Sequence, residues 1–234
     1  MIAHGGRITH TDTDTRVAAR MAFTLAVAAI AWVGLAWQFI LSMESMLGGG
    51  RPLLSAVIWY FSFFTILTNL VVAVDLTVLG LAPRSKSALA LAPPRIQTGI
   101  AAAILLVGIG YELLIRQSWD FHRRGFLADF LLHDLSPATF ALYWVLCVRK
   151  GDLAWRDIWP WTLYPAAYCI YSLTYGAVTA EYPYPFLDAG RLGLARVMTN
   201  TAALVVGFLF LACVLVAVDS WLGYRSVAGA RTRR

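Results

Sequence analysis

The sequence predicts an all-α, polytopic membrane protein with six transmembrane helices and both termini on the cytoplasmic side. The composition, the length of the apolar stretches and the distribution of positive charge predict it. Of 234 residues, 59% are apolar and 14% are charged, and the mean hydropathy is +0.67. Soluble domains carry roughly 25% charged residues, so this chain is predicted to contain helices that are apolar around their whole circumference.

Six apolar stretches are long enough to cross a bilayer core of about 30 Å, which takes about 20 residues in helical form. They predict an N-terminal tail over 1–18, a transmembrane domain over 19–221 and a basic C-terminal tail over 222–234. Because the first stretch is too long for the apolar region of a signal peptide, we expect it to stay as the first membrane helix. The predicted spans cover 21–43, 55–80, 97–116, 126–148, 158–179 and 192–219.

The positive charge is unevenly shared between the two sides of these spans. Of the 19 lysines and arginines, thirteen fall in the two tails and in the second and fourth loops, and six fall on the opposite side. Cytoplasmic loops are enriched in positive charge, so both termini are predicted to be cytoplasmic. The net charge of +6 is scattered over loops, which favours membrane lipids over nucleic acid as its partner.

The three cysteines are predicted to be packing residues. Cys147, Cys169 and Cys213 each lie in an apolar stretch, without a CxxC pair or a His–Cys spacing suited to zinc. No metal site and no cofactor is therefore predicted.

The second span carries a polar face. Thr65, Thr68 and Asn69 are three and four residues apart, so they share one side of a helix. Polar residues at membrane depth are costly and commonly point into the bundle, where function is found. The alternative is structural, since such hydroxyls also bond to their own backbone or hold neighbouring helices together.

The fourth span contains His133, followed by Asp134. Thr65 and His133 are expected at similar depths, so the two side chains could meet inside the bundle. A hydroxyl beside an imidazole is the minimal pair of nucleophile and base. A histidine that only bonds a neighbouring helix is the alternative.

Two further regions contribute possible cavity or lid residues. Glu112 is an ionisable residue in the third span, and the fifth loop contains Tyr182, Tyr184 and Arg191 around two prolines. These prolines stiffen the loop, which could cap a cavity. A turn with aromatic side chains at the level of the headgroups is the alternative.

Three motifs together resemble a known family. They are Phe-Phe-Thr-Ile-Leu-Thr-Asn over 63–69, Leu-Leu-His-Asp over 131–134, and Tyr-Pro-Phe-Leu-Asp over 184–188, followed by Gly190 and Arg191. From the second span onward the chain resembles the bacterial six-transmembrane Pr-six-Pr proteins. These are distantly similar to the eukaryotic androgen-induced and androgen-dependent membrane proteins, which cleave fatty acid esters of hydroxy fatty acids with one threonine and one histidine.

The resemblance implies a lipid ester hydrolase in the cell membrane of a bacterium, with Thr65 as nucleophile and His133 as base. In the eukaryotic motif an Asn or Asp follows the nucleophile by three positions, whereas here Asn69 follows Thr65 by four. Thr68 is therefore the alternative nucleophile. Asn69 and Asp134 are expected to support the site, and a lipid ester or its acyl chain is the expected ligand.

A function without chemistry remains open. In a transporter, a channel or a ligand-binding regulatory protein, Thr65, Asn69, Glu112 and His133 would line a polar path. Glu112 and His133 would then form a proton relay. The residue of the second span that faces His133 distinguishes the two functions, because a threonine favours hydrolysis and carboxylates alone favour ion handling.

Overall fold

The computed structural model describes residues 10–116 and 125–231, and all regular elements in these two ranges are helical. Five helical segments are long and apolar enough to cross a membrane. The all-helical class is confirmed for the described residues, and these five segments are candidates for membrane crossings. The helices are α1 (His10–Gly48), α2 (Leu53–Tyr60), α3 (Phe64–Leu81), α4 (Lys86–Leu91), α5 (Pro94–Leu114), α6 (Phe126–Asp129), α7 (Ser136–Cys147), α8 (Ile158–Thr179), α9 (Ala189–Leu192) and α10 (Leu194–Arg231).

The first and last helices continue into the predicted tails. Helix α1 has 39 residues and begins at His10, and helix α10 has 38 residues and ends at Arg231. The predicted boundaries at 18 and 222 therefore do not mark the ends of these helices. Residues 1–9 and 232–234 of the predicted tails lie outside the described residues.

The fifth predicted span is a continuous helix of a different composition. Helix α8 has 22 residues, but it is not among the five segments that are apolar enough to cross a membrane. Its tryptophans, tyrosines and prolines lower the hydropathy, and Pro165 lies within the helix. Length alone, about 33 Å at 1.5 Å per residue, is sufficient for a crossing.

The prediction of one continuous helix over 55–80 is wrong, because the chain breaks between α2 and α3 at residues 61–63. Side chains satisfy part of the backbone that the break frees. The Ser62 hydroxyl donates to the Trp59 carbonyl oxygen at 2.7 Å, and the Tyr168 hydroxyl donates to the Ser62 carbonyl oxygen at 3.0 Å. The break is therefore supported by helix α8, which is distant in sequence.

The fourth span is also irregular, because a π-helical segment, Phe130–Leu135, joins α6 to α7. Pro137 lies in the first turn of α7. In a regular α-helix its ring would collide with the carbonyl of His133, four residues earlier, and the wider turn relieves this clash. The freed carbonyl faces α5, where a Cβ atom on Gly108 would lie 3.0 Å from the His133 oxygen.

Polar contacts gather at the two ends of the bundle. At one end, the Gly151 N–H donates to Asp219 at 2.9 Å, and we call this the Asp219 end. At the other end, Arg51 is paired with Glu181, and the loop over 180–193 closes the bundle through Tyr184. We call this the Tyr184 end, and it contains both irregular spans.

Candidate functional site at the interrupted helices

Thr65 lies in the first turn of helix α3, directly after the break. Its side chain and backbone are buried, with 7% of the residue exposed. The Thr65 N–H donates to the Tyr184 hydroxyl at 3.2 Å, and the two hydroxyl oxygens are 3.3 Å apart. The N–H groups of a first turn have no partner within the helix, so the phenol oxygen of the fifth loop takes that place.

Thr68, the alternative nucleophile, is one turn further along α3. Its hydroxyl oxygen is 3.0 Å from the hydroxyl of Tyr164, and only 1% of the residue is exposed. Both threonines that the sequence singled out are therefore bonded to tyrosines. Thr65 borders a cavity, whereas Thr68 is not among the residues that line it.

Asn69 connects the two irregular spans. Its side-chain N–H groups donate to the Thr65 carbonyl oxygen at 2.9 Å and to the Leu132 carbonyl oxygen at 3.2 Å. Leu132 directly precedes His133, so the amide holds the start of α3 against the π-helical segment. Asn69 is fully buried, and its side-chain oxygen has no hydrogen-bond partner among the described residues. The predicted supporting role of Asn69 is thus a bridge between backbones.

His133 is held by a carboxylate that the sequence analysis did not single out. Its Nδ1 atom is 2.9 Å from Asp129 Oδ1 and 3.1 Å from the Asp129 carbonyl oxygen. Its ring stacks on Tyr111 with the ring centroids 3.9 Å apart. A donor at Nδ1 leaves Nε2 as the acceptor, which is the tautomer that a general base needs. The spacing of four residues between Asp129 and His133 is the signal that could have found this pair.

Thr65 and His133 lie on elements that the fold brings together, but they are not hydrogen-bonded to each other in the described part of the chain. The hydroxyl of Thr65 is paired with Tyr184, and the imidazole is paired with Asp129. Tyr111 connects their surroundings, because it stacks on His133 and also lines the cavity that Thr65 borders. Proton transfer between Thr65 and His133 would need a change of partners or a bridging water.

The cavity beside Thr65 is almost entirely apolar. It contains about 640 Å³ of empty space, counted together with its open mouth. Hydroxyl groups of Thr65 and of three tyrosines are the polar side-chain groups of its wall. The lining residues come from α3, α5, α8, α10 and the fifth loop, and include Phe64, Thr65, Leu106, Tyr111, Leu114, Pro165, Tyr168, Cys169, Tyr184, Phe186 and Leu204.

The predictions for Glu112 and Asp134 need correction. Both carboxylates pair with Arg116, at 2.8 Å from Glu112 and 2.6 Å from Asp134. The Glu112 side chain is 46% exposed and the Asp134 side chain 29%, so they form a partly exposed charge cluster outside the cavity. Arg116, at the end of α5, attracts both carboxylates away from the interior. The carboxylate that contacts His133 is Asp129, and the described residues show no direct contact between Glu112 and His133.

The predicted lid residues of the fifth loop have three different positions. Tyr184 is buried and lines the cavity. Tyr182 packs on helix α8, where a Cβ atom on Gly176 would lie 2.1 Å from its ring, and it is not among the lining residues. Arg191 borders a second, more open space beside the cavity.

An ion pair fastens the fifth loop to the first. Arg51 donates to both carboxylate oxygens of Glu181, with one N–O distance of 2.7 Å, and its guanidinium lies 5.9 Å from the ring centre of Trp59. The hydrogen bond from Arg51 lowers the pKa of Glu181 below its ordinary value.

Comparisons of the chain with known protein families, curated proteins and solved structures find no match.

Proposed function

We propose that this protein is a membrane enzyme that hydrolyses lipid esters at Thr65, inside its helical bundle. One arrangement carries the proposal: a threonine at the start of an interrupted helix borders an apolar cavity, and a histidine oriented by Asp129 lies on the adjoining segment. An acyl chain suits the apolar wall, and the hydroxyl lies where an ester carbonyl would reach it. The resemblance to the Pr-six-Pr proteins points to the same chemistry.

The proposal includes six membrane crossings with both termini in the cytoplasm of a bacterial cell. Helix α8 supplies the crossing beyond the five apolar segments, because its 22 residues span about 33 Å. The excess of lysine and arginine at the Asp219 end supports this orientation. The Tyr184 end, with the cavity, then faces the outside of the cell.

The proposed reaction has two steps. The Thr65 oxygen attacks the ester carbonyl carbon while His133 takes the hydroxyl proton, and this proton then passes to the departing alcohol. A water molecule next gives a proton to His133 and attacks the acyl-threonine, which releases the fatty acid and restores the Thr65 hydroxyl. Asp129 stabilises the imidazolium that forms in each step.

Tyr184 must leave its place before Thr65 can react. Its phenol oxygen accepts the Thr65 N–H, a donor that could instead stabilise the negative oxygen of the tetrahedral intermediate. Displacement of Tyr184 by substrate would also free the Thr65 hydroxyl. The fifth loop thus has the position of a substrate-displaced lid.

The test combines labelling with substitutions. Purified protein is treated with a fluorophosphonate, the adduct is mapped by mass spectrometry, and cleavage of a medium-chain hydroxy-fatty-acid ester is measured. We expect the adduct on Thr65, loss of cleavage in Thr65→Ala and His133→Ala, and partial activity in Thr65→Ser, which keeps the hydroxyl. Thr68→Ala is the matched control and should cleave at nearly the parental rate.

The activities of the variants also show whether the nucleophile or the reaction has been assigned incorrectly. An inactive Thr68→Ala with an active Thr65→Ala would move the nucleophile one turn along α3. Parental rates in both Thr65→Ala and His133→Ala would refute hydrolysis. Asp129→Asn should retain the fold and lose most of the activity, because the amide stabilises neither the tautomer nor the imidazolium.

A ligand-binding membrane protein without catalysis is the second candidate. The observation that favours it is the hydroxyl pairing, because Thr65 is bonded to Tyr184 and not to an imidazole. Its cavity would then hold an apolar ligand without cleaving it. Stable binding of an intact ester, with no released alcohol over many hours, would support this candidate over the enzyme.

A further inference from the structure

A second space adjoins the apolar cavity at the Tyr184 end. The two share Leu114, Ile115 and Phe186 as lining residues. The second space contains about 830 Å³, again counted with its open side. We call it the arginine vestibule, because Arg191 and Arg196 line it together with Asn200.

The vestibule has positive charge, and none of its described lining residues is acidic. Neither guanidinium group forms an ion pair with an acidic side chain in the described ranges. The other two described arginines at this end behave differently, since Arg51 pairs with Glu181 and Arg116 with Glu112 and Asp134. Asp188 is the nearest acidic residue in sequence, and it accepts the backbone N–H of Arg191 at 2.9 Å as a helix cap.

The backbone geometry places the two arginines around one opening. Arg191 lies in the last turn of α9 and Arg196 in the first turn of α10, and Gly193 joins these helices with a φ of +75°. Asn200 donates to the Phe186 carbonyl oxygen at 2.8 Å, which fixes the backbone of a residue that lines both the vestibule and the cavity. The backbone therefore fixes where the two arginines lie relative to the apolar wall at Phe186.

We propose that the arginine vestibule binds the anionic head of a single-chain amphiphile whose apolar chain lies in the cavity beside Thr65. Guanidinium groups form charge-assisted hydrogen bonds with carboxylates and phosphates, and the apolar wall of the adjoining cavity accepts the chain. The cavity is lined almost entirely by apolar side chains, which suit the chain of such an amphiphile. Arg191 and Arg196 are then the residues that select a charged substrate.

This inference rests on the cavity of the proposed function and names its substrate class, but it is tested by binding and not by cleavage. The protein in a neutral detergent is photolabelled with a hexadecanoic acid that carries a diazirine in its chain. Unlabelled hexadecanoate, hexadecyl phosphate and hexadecanol compete for the site, and the adducts are mapped by mass spectrometry. We expect adducts on the cavity wall, among Phe186, Leu204 and Val205.

Paired variants separate a specific head site from general charge. Arg191→Gln/Arg196→Gln should bind hexadecanoate and hexadecyl phosphate about tenfold more weakly and leave competition by hexadecanol unchanged. Arg84→Gln/Arg156→Gln is the matched control, since it removes two exposed arginines at the Asp219 end with the same change in net charge. It should bind like the parent. Leu204→Trp should block labelling of the cavity.

Three results would overturn the inference. One is equal competition by hexadecanol and hexadecanoate, and another is a double variant that binds hexadecanoate like the parent. The third is displacement of the probe by vesicles of anionic phospholipid but not by the single-chain acids, which would assign the arginines to bilayer headgroups. Binding without any cleavage would count against the hydrolase alone, and cleavage without a preference for anionic substrates would count against this inference alone.

Discussion

The two ends of the bundle bury polar side chains in different ways. At the Asp219 end, one carboxylate oxygen of Asp219 accepts the N–H groups of Gly151 at 2.9 Å and Leu153 at 3.2 Å. At the Tyr184 end, neutral hydroxyl pairs such as Thr65 and Tyr184 border open space. The first arrangement closes a loop onto a helix, whereas the second leaves donors that a ligand can use.

The difference also concerns how easily each contact can be replaced. Tyr184 comes from a loop, and its contacts with Thr65 are long, at 3.2 and 3.3 Å, so a ligand can compete for them. The contacts of Asp219 involve a charged group that is 1% exposed, and their loss would leave backbone donors buried. Buried polar residues at the Asp219 end thus indicate packing, and those at the Tyr184 end indicate a site.

Asp219→Ala is the substitution with the largest expected effect. It removes the acceptor of two backbone N–H groups in a buried region, and we expect the free energy of unfolding to fall by about 1–3 kcal/mol for each donor left unpaired. Thermal unfolding in detergent, followed by size-exclusion chromatography, measures it. Asp152→Ala is the control, because Asp152 pairs with the 78% exposed side chain of Arg149 and should change stability by less than about 1 kcal/mol.

Gly223→Ala and Gly176→Ala each add one Cβ atom, the first at the Asp219 end and the second at the Tyr184 end. The two variants therefore compare how tightly each end is packed. A Cβ on Gly223 would lie 2.5 Å from the Gly151 Cα, which is backbone, whereas a Cβ on Gly176 would meet the Tyr182 ring of the fifth loop. We expect Gly223→Ala to cost about 1–3 kcal/mol of stability. Gly176→Ala should instead shift the loop, with a smaller fall in melting temperature and a change in ligand affinity. An equal fall in melting temperature in both variants would contradict the expected difference between the two ends.

Asn69→Ala should cost less stability than Asp219→Ala, although both side chains are buried and contact two backbone groups. The carbonyl of Thr65 keeps its helical partner when the Asn69 amide is lost, whereas a backbone N–H has only one hydrogen to donate. We expect about 1 kcal/mol of destabilisation and a larger loss of activity, because α3 is no longer fastened beside Leu132. An unchanged kcat in a destabilised variant would show that Asn69 is only structural.

The Arg51–Glu181 pair is expected to give the smallest effect. Because the pKa of Glu181 is lowered in the folded protein, the pair stabilises above the ordinary value of 4.5 and this contribution is lost as the pH falls through the lowered pKa. About a third of each side chain is exposed, so water screens the pair and its contribution to stability should be small. Glu181→Gln should be less stable than the parent at pH 7, and the difference in stability should disappear as the pH falls below the lowered pKa of Glu181.

The sequence by itself determined the all-helical class and the approximate positions of several long helices. Hydropathy along a stretch of about 20 residues is a local property, so helices α5, α8 and the segment 126–147 begin and end within a few residues of the prediction. It also identified the polar residues Thr65, Asn69 and His133, because such residues stand out in apolar stretches. Their partners were not predictable in the same way.

The tertiary structure alone decided the break at 61–63 and the surroundings of each polar group. Tyr168 supports the break from more than 100 positions away, and Tyr184 is paired with Thr65 across 119 positions. Arg116 holds Glu112 and Asp134 outside the cavity, which no local pattern indicates. The physical reason is that hydrogen bonds and charges at membrane depth are satisfied by whichever helices pack together, and this packing depends on the whole chain.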